Sequence, residues 1–142
     1  MNIITRQVEE QPLTIIVEYP KYNEFVAKVV KKVRGMDMEF TASTQDKQIR
    51  IPLTEIYYFE TVERKIFVYT EKDVYRLALT MAELEDMTRE SDIVRISRTC
   101  FINIGHLKGI KQIKNSHLEA ELDNDEKVIV SRKYLKEIKQ RF

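Results

Sequence analysis

The spacing of hydrophobic residues changes along the chain, and each spacing predicts a different element. Between residues 23 and 34, valines and a phenylalanine recur every three or four positions with lysines between them, which predicts an amphipathic helix. Asn23 can cap its first amides, and we expect Gly35 to end it in the left-handed conformation. Residues 13–19 are rich in β-branched side chains and predict a short strand. Residues 1–37 are therefore interpreted as a short N-terminal strand-helix extension.

Strand patterns dominate from residue 38 onward, with short polar turns between them that favour antiparallel hairpins. The predicted strands cover residues 38–43, 48–53, 56–60, 66–70, 74–78, 93–96, 109–113, 117–122 and 128–130. Pro52 cannot donate to a strand ladder, so we expect it at a sheet edge or a strand end. Thr80 and Glu83 form a capping box that predicts a helix to about residue 89, and a last helix is predicted over about residues 131–139. The predicted fold is mainly β, in the α+β class.

Composition indicates an ordinary globular protein, with 43% hydrophobic and 33% charged residues among 142. The sequence has no apolar run of membrane-spanning length and no export signal, so we expect a cytoplasmic protein without membrane insertion. Cys100 is the only cysteine, which excludes an internal disulfide, and its apolar neighbours predict burial. The net charge of +1 conceals a polarity, because residues 95–142 carry eleven Lys or Arg against six Asp or Glu, whereas residues 1–94 carry thirteen against seventeen.

Signatures of enzyme chemistry are weak in this sequence. Three glycines are too few for a glycine-rich phosphate loop, and no serine lies in a Gly-x-Ser-x-Gly motif. His106 and His117 are eleven residues apart and no second cysteine is available, so metal-binding spacing is missing. We therefore expect no enzymatic activity, no cofactor and no metal.

The stretch from Ile93 to Asn103 is apolar at both ends and polar in its middle. It can be an amphipathic strand that turns at residues 97–99 and exposes arginines to solvent. It can also be a DNA-contacting loop, because Arg, Ser and Thr bind phosphates and base edges. Arg95 is interpreted as a scaffold residue, and Asn103 is expected to close a turn before Gly105. The aromatic cluster at residues 57–59 is interpreted as core.

This stretch resembles the corresponding pattern of the LytTR family of DNA-binding domains: Arg, Ile, His or Ser, Arg or Lys, Ser or Thr, then apolar residues before Asn. Three further motifs are similar to that family and occur in the same order. They are residues 56–60, an apolar strand that ends in Glu; residues 77–84, a short helix; and residues 130–134, a Ser-Arg-x-Tyr signature. The resemblance covers roughly residues 40–142.

The resemblance implies several small antiparallel sheets in an elongated body, formed by residues 38–142, that inserts loops into successive major grooves of DNA. By this resemblance Ser97, Arg98 and Thr99 lie on one DNA-facing loop. Arg132 and Lys133 lie on a second loop. Arg64 and Lys65 provide a third contact, and the chemistry agrees because arginine can bind guanine O6 and N7 together.

The sequence departs from the family pattern in two places. Ser97 stands where histidine is common, and Cys100 stands where an aromatic residue is common, so the target DNA sequence is not predicted. Many relatives carry a receiver domain, but residues 1–38 are too few for one and lack its acidic cluster. Phosphorelay control is therefore not expected within this chain.

We expect sequence-specific binding of double-stranded DNA that regulates bacterial transcription, with two subunits acting as a homodimer to increase specificity. The helix over residues 23–34 can form the dimer contact or cover the domain's own sheet. The alternative is a protein-interaction or ligand-sensing β module. Salt dependence separates these classes, because only phosphate binding must release counterions.

Overall fold

The computed structural model describes residues 1–141, which form three α-helices and ten strands. The helices are α1 (Glu24–Met36), α2 (Met81–Thr88) and α3 (Leu135–Arg141). The strands are β1 (Glu39–Ser43), β2 (Gln48–Pro52), β3 (Tyr58–Val62), β4 (Lys65–Tyr69), β5 (Val74–Leu77), β6 (Ile93–Arg95), β7 (Cys100–Asn103), β8 (Leu107–Gln112), β9 (Leu118–Leu122) and β10 (Lys127–Val130). None of these helices is both long and apolar enough to cross a bilayer.

The strands gather into two antiparallel sheets, which confirms the predicted mainly β fold. The larger sheet has the order β2-β1-β5-β4-β3-β7-β6, and the smaller one has the order β10-β9-β8. Short turns join neighbouring strands, as when the Thr44 amide donates to the Lys47 carbonyl at 3.0 Å. Pro52 is the last residue of β2 at one edge of the larger sheet, as expected for a residue that cannot donate.

Two hydrophobic cores lie on opposite faces of β3 and β7. Phe59 and Phe101 belong to the core that also contains Leu84 of α2. Tyr58 and Ile102 belong to the core that contains the smaller sheet and α3. The predicted assignment of the aromatic cluster to the core is confirmed, since Tyr57, Tyr58 and Phe59 are all buried. Because successive residues of a strand point to opposite faces, these two strands connect the two halves of the domain.

The strand predicted at residues 13–19 does not form. Those residues adopt neither helix nor strand, and Leu13 is 95% exposed. Strand propensity reflects packing and pairing with neighbours more than an intrinsic backbone preference. Within residues 1–141 no strand pairs with this segment, so its β-branched composition alone does not produce a strand.

Helix α1 begins where the sequence predicted but does not end by the predicted mechanism. Its first turn is capped by Asn23, whose Oδ1 accepts from the Val26 amide at 2.9 Å. Gly35 lies inside the helix and no glycine has a positive φ, so the predicted left-handed stop is wrong. The glycine instead permits close packing, because a Cβ there would lie 3.2 Å from Leu53 Cδ2. The absence of a side chain at Gly35 therefore lets α1 lie close to Leu53, in the turn that follows β2.

A polar cluster around His106 joins the two sheets. The His106 Nδ1 lies 3.0 Å from Asp123 Oδ2, and its Nε2 lies 2.6 Å from the Thr54 carbonyl oxygen. The ring stacks on Tyr57 with 4.0 Å between centroids. Burial alone would raise the pKa of Asp123, but hydrogen bonds from His106 and Tyr57 outweigh it and lower that pKa. The cluster thus stabilises the ionised form of the exposed Asp123 carboxylate through contacts from both halves of the structure.

Candidate nucleic-acid interface

Three polar segments meet at one end of the larger sheet: residues 63–65, 96–99 and 131–134. We call them together the loop end. The Thr61 amide donates to the Thr99 carbonyl at 2.7 Å, which joins the β3–β4 hairpin to the β6–β7 loop. The Ser131 amide donates to the Ile96 carbonyl at 2.8 Å, which joins the segment before α3 to the same loop. Backbone hydrogen bonds therefore bring together three segments that are far apart in sequence.

The β6–β7 loop is held in a tight turn by its own hydrogen bonds. The Ile96 and Ser97 amides both donate to the Cys100 carbonyl, at 3.0 and 3.3 Å. Inside the turn, the Thr99 amide donates to Ser97 Oγ at 3.2 Å. Arg98 and Thr99 are exposed and Ser97 is partly exposed. The turn at residues 97–99 that the sequence predicted is confirmed, and it presents Arg98 to solvent.

Arg95 has the scaffold role that the sequence favoured. Its Nε donates to the Ser97 carbonyl at 3.0 Å, and its Nη2 donates to the Arg98 carbonyl at 2.7 Å. Its guanidinium also lies 5.4 Å from the centroid of the Phe101 ring and 5.9 Å from that of Tyr134. One partly buried side chain thus connects the β6–β7 loop to the segment before α3. We therefore identify Arg95 as a positioning residue of the loop end.

The β3–β4 turn consists of two residues with positive φ, Glu63 at 52° and Arg64 at 66°. Two-residue hairpin turns of this geometry favour Asn and Gly, because a Cβ makes the left-handed conformation costly. Glu63 and Arg64 therefore carry a backbone strain of about 1 kcal/mol or more each. Arg64 thus stands exposed on a strained two-residue turn, where its side chain is accessible to an external ligand.

The predicted site residues are gathered in the loop end and exposed or partly exposed. Its five cations make no ion pair within residues 1–141, whereas several other arginines pair with carboxylates. The five are Arg64, Lys65, Arg98, Arg132 and Lys133. Their charges are therefore not neutralised by neighbouring carboxylates, which suits binding of an external anion.

Cys100 borders the loop but faces the core. It is 9% exposed, and burial, reinforced by the charge of Glu60, raises the pKa of its thiol to about 12. Such a thiol stays protonated at neutral pH and is a poor nucleophile or metal ligand. Among residues 1–141, no group of three or more His, Cys, Asp or Glu side chains is arranged to hold a metal ion.

Comparison with known proteins identifies a family. The family model of the LytTr DNA-binding domain matches residues 46–142, which include the whole loop end. The chain is 24% identical over 137 residues to the sensory transduction protein LytT of Bacillus anthracis, a match that covers 93% of this chain and 56% of that protein. It is 26% identical over 129 residues to an uncharacterized HTH-type transcriptional regulator of Staphylococcus aureus, covering 89% of this chain and 87% of that one. The chain thus spans little more than half the length of the LytT relatives.

A solved structure has a similar fold. The LytTr DNA-binding domain of a response regulator from Bacillus cereus superposes with a TM-score of 0.67 and 25% sequence identity. The superposition covers 72% of this chain and 94% of that domain. Almost all of that domain is therefore matched, whereas more than a quarter of this chain lies outside the superposition.

Replacing Arg95 by Ala should loosen the β6–β7 loop while the rest of the larger sheet stays folded. Two hydrogen bonds to loop carbonyls are lost, and a loss of about 1.4 kcal/mol corresponds to about tenfold faster local opening. Amide hydrogen exchange should therefore accelerate about tenfold at Ser97 and Thr99 and remain unchanged at Ile102. Arg89→Ala, which removes only an exposed pair with Asp86, is the control. Unchanged exchange at residues 97–99 in Arg95→Ala would contradict the positioning role.

Proposed function

This chain belongs to the LytTr DNA-binding domain family, and from that premise we propose that it binds double-stranded DNA sequence-specifically and regulates transcription. The observation that carries the proposal is the loop end, where three loops with unneutralised cations are fixed side by side. Sequence is read by contacts to base edges, whereas contacts to phosphates set the register of the protein on the duplex. Because these loops are already ordered, they can make both kinds of contact without the loss of conformational entropy that ordering a flexible loop would cost.

In this proposal, loops and not a helix contact the base edges of the DNA. Within residues 1–141 each α-helix is separated from the next by strands, so two helices never follow one another as in a helix-turn-helix. Helix α3 has seven residues and is anchored by the buried Ile138. The side chains of the loop end protrude beyond the sheet and can enter a groove that admits a two-stranded ribbon.

The residues of the loop end have distinct proposed roles. Arg98 is the base reader, because a guanidinium can donate to guanine O6 and N7 together. Ser97 and Thr99 lie beside it and donate to phosphates or base edges through their hydroxyls. Arg132 enters the neighbouring major groove of the duplex, and Lys133 contacts the phosphate backbone of the DNA. Arg64 and Lys65 make a third, flanking contact with the backbone.

We propose that two copies bind together on a repeated or inverted site in the cytoplasm. Discrimination from one good bidentate contact is about 1 to 3 kcal/mol, so the few contacts of a single loop end give limited specificity. Doubling the contacts roughly doubles that discrimination. The surface of α1 is a candidate for the contact between copies, because Phe25 and Met36 are exposed on it.

Arg98→Ala and Arg132→Ala should each lower specific affinity tenfold or more, since a base contact contributes about 2 kcal/mol. The ligand is the duplex that the protein retains best from fragments upstream of its own gene, here called the selected duplex. Fluorescence anisotropy with excess unrelated DNA measures the affinity.

Arg50→Ala is the matched control, because Arg50 is exposed on β2 at the opposite edge of the larger sheet. Its affinity should equal that of the wild type. Full specific binding by the Arg98→Ala/Arg132→Ala double variant would refute the assignment of the loop end. If the wild type binds no duplex in a salt-dependent way, the DNA-binding proposal itself is wrong.

Sedimentation velocity tests the pairing of subunits. The complex with a duplex carrying two sites should contain two protein chains, whereas a duplex with one site should carry fewer at the same protein concentration. Phe25→Asp places a charge on the exposed face of α1 and should reduce pairing without loss of single-site binding. Only monomers, both alone and on an excess of two-site DNA, would rule out the homodimer.

A further inference from the structure

An open groove of about 510 Å³ lies between α1 and α3 and is lined mainly by cations. Lys31 comes from α1, and Lys133, Lys136 and Arg141 come from the C-terminal segment. Glu137 is the one carboxylate among the lining residues. Four cations against one carboxylate give the lining an excess of positive formal charge, which favours an anionic ligand.

The cations of the groove are not equivalent. Arg141 already contacts other groups of the protein, since its Nη2 donates to the Ser91 carbonyl at 3.0 Å and lies 3.5 Å from Asp92 Oδ1. Its Nη1 also lies 3.8 Å from Glu137. By contrast, no ion pair involves Lys31, Lys133 or Lys136 in the part of the chain that the structure describes. Three lysine charges therefore remain for an external ligand.

Contacts with the domain set the orientation of α1 and hence the position of Lys31. Val26 is buried and Gly35 packs on Leu53, so one face of the helix is fixed against the domain. The Lys32 Nζ lies 3.5 Å from Asp92 Oδ2, the carboxylate that Arg141 also approaches. Asp92 thus lies within ion-pair distance of one cation from α1 and one from α3, and connects the two walls of the groove.

The groove is continuous with the loop end. Lys133 belongs to both, and Lys136 and Gln140 follow it at helical spacing along α3. A row of basic and polar side chains therefore leads from the segment beside Arg132 to Lys31. A lysine is a compact, flexible charge that suits contact with a phosphate rather than the reading of a base.

We propose that this groove binds backbone phosphates of the duplex segment that flanks the site contacted by the loop end. The N-terminal helix α1 thereby becomes part of the DNA-binding surface, with Lys31 and Lys136 as phosphate ligands. This inference rests on the proposed function, because it extends the same interface. A duplex is favoured over a small anionic ligand because the groove is open and leads directly into the loop end.

The test compares Lys31→Ala/Lys136→Ala with the wild type on two duplexes. One is the selected duplex with long flanks, and the other is the same duplex trimmed to its core site. Each lost phosphate contact should reduce the slope of log affinity against log salt by about 0.9, so the double variant should lose about 1.8 on the long duplex. On the trimmed duplex, variant and wild type should bind equally.

Two further variants keep the result interpretable. Lys31→Arg/Lys136→Arg retains both charges and should keep the wild-type slope. Lys47→Ala/Lys72→Ala removes two exposed lysines from turns at the opposite end of the larger sheet, and should also keep it. Circular dichroism should show the same unfolding temperature for all the variants.

The outcomes separate this inference from the proposed function. If Arg98→Ala weakens binding but Lys31→Ala/Lys136→Ala leaves the affinity and salt slope on the long duplex unchanged, the groove does not bind DNA and the inference is wrong. Binding of a polyglutamate peptide is measured alongside. If Lys31→Ala/Lys136→Ala binds this peptide more weakly than the wild type but binds both duplexes equally well, the groove binds acidic peptides and not DNA, and the inference is wrong. If the wild type binds neither duplex, the proposed function fails and the inference fails with it.

Discussion

Strand β7 is covered by side chains on both faces, and this double coverage fixes where the loop end lies. Phe101 packs into one core, and Cys100 and Ile102 pack into the other. At the end of the strand, the Asn103 Nδ2 donates to the Leu53 and Ile56 carbonyls at 3.1 and 2.8 Å. A buried strand secured in this way cannot slip by one residue without exchanging its two faces. The loop that precedes β7 therefore leaves the sheet at a defined point.

The cations of the chain divide into those that pair with carboxylates and those that do not. Arg34, Arg95 and Arg141 pair with carboxylates and hold elements together. The cations of the loop end and the lysines of the groove make no such pairs within residues 1–141. This division explains how a chain with a net charge of only +1 can present a basic surface. The sign of a local surface, not the total charge, is what a phosphate backbone encounters.

Local signals in the sequence predict most elements but not how they meet. Thr80 caps α2 and Asn103 closes the turn before Gly105, as expected from short-range hydrogen bonding. The strand predicted at residues 13–19 fails because its formation requires a partner strand that local composition does not provide. The prediction for Gly35 fails for a related reason, since its role is set by Leu53, a neighbour that is distant in sequence.

The candidate interface likewise combines residues that the sequence singles out with nonlocal contacts that it does not predict. The resemblance singled out the loop residues, and the turn at residues 97–99 was visible in the sequence. The bond from Thr61 to Thr99 and the one from Ser131 to Ile96 join segments that no periodicity relates. Likewise, Lys31 carries no signal in its own helix, because it shares a groove with cations of α3 that are distant in sequence. Sequence patterns identify side chains that can bind DNA, and nonlocal backbone pairing decides which of them act together.

Hydrogen exchange with and without the selected duplex is the most direct measurement of whether the loop end faces DNA. We predict that the duplex slows exchange at residues 63–65, 96–99 and 131–134 together, and leaves β2 and the turn at residues 70–73 unchanged. Protection at the β2 edge with none at the loop end would contradict a DNA-facing loop end.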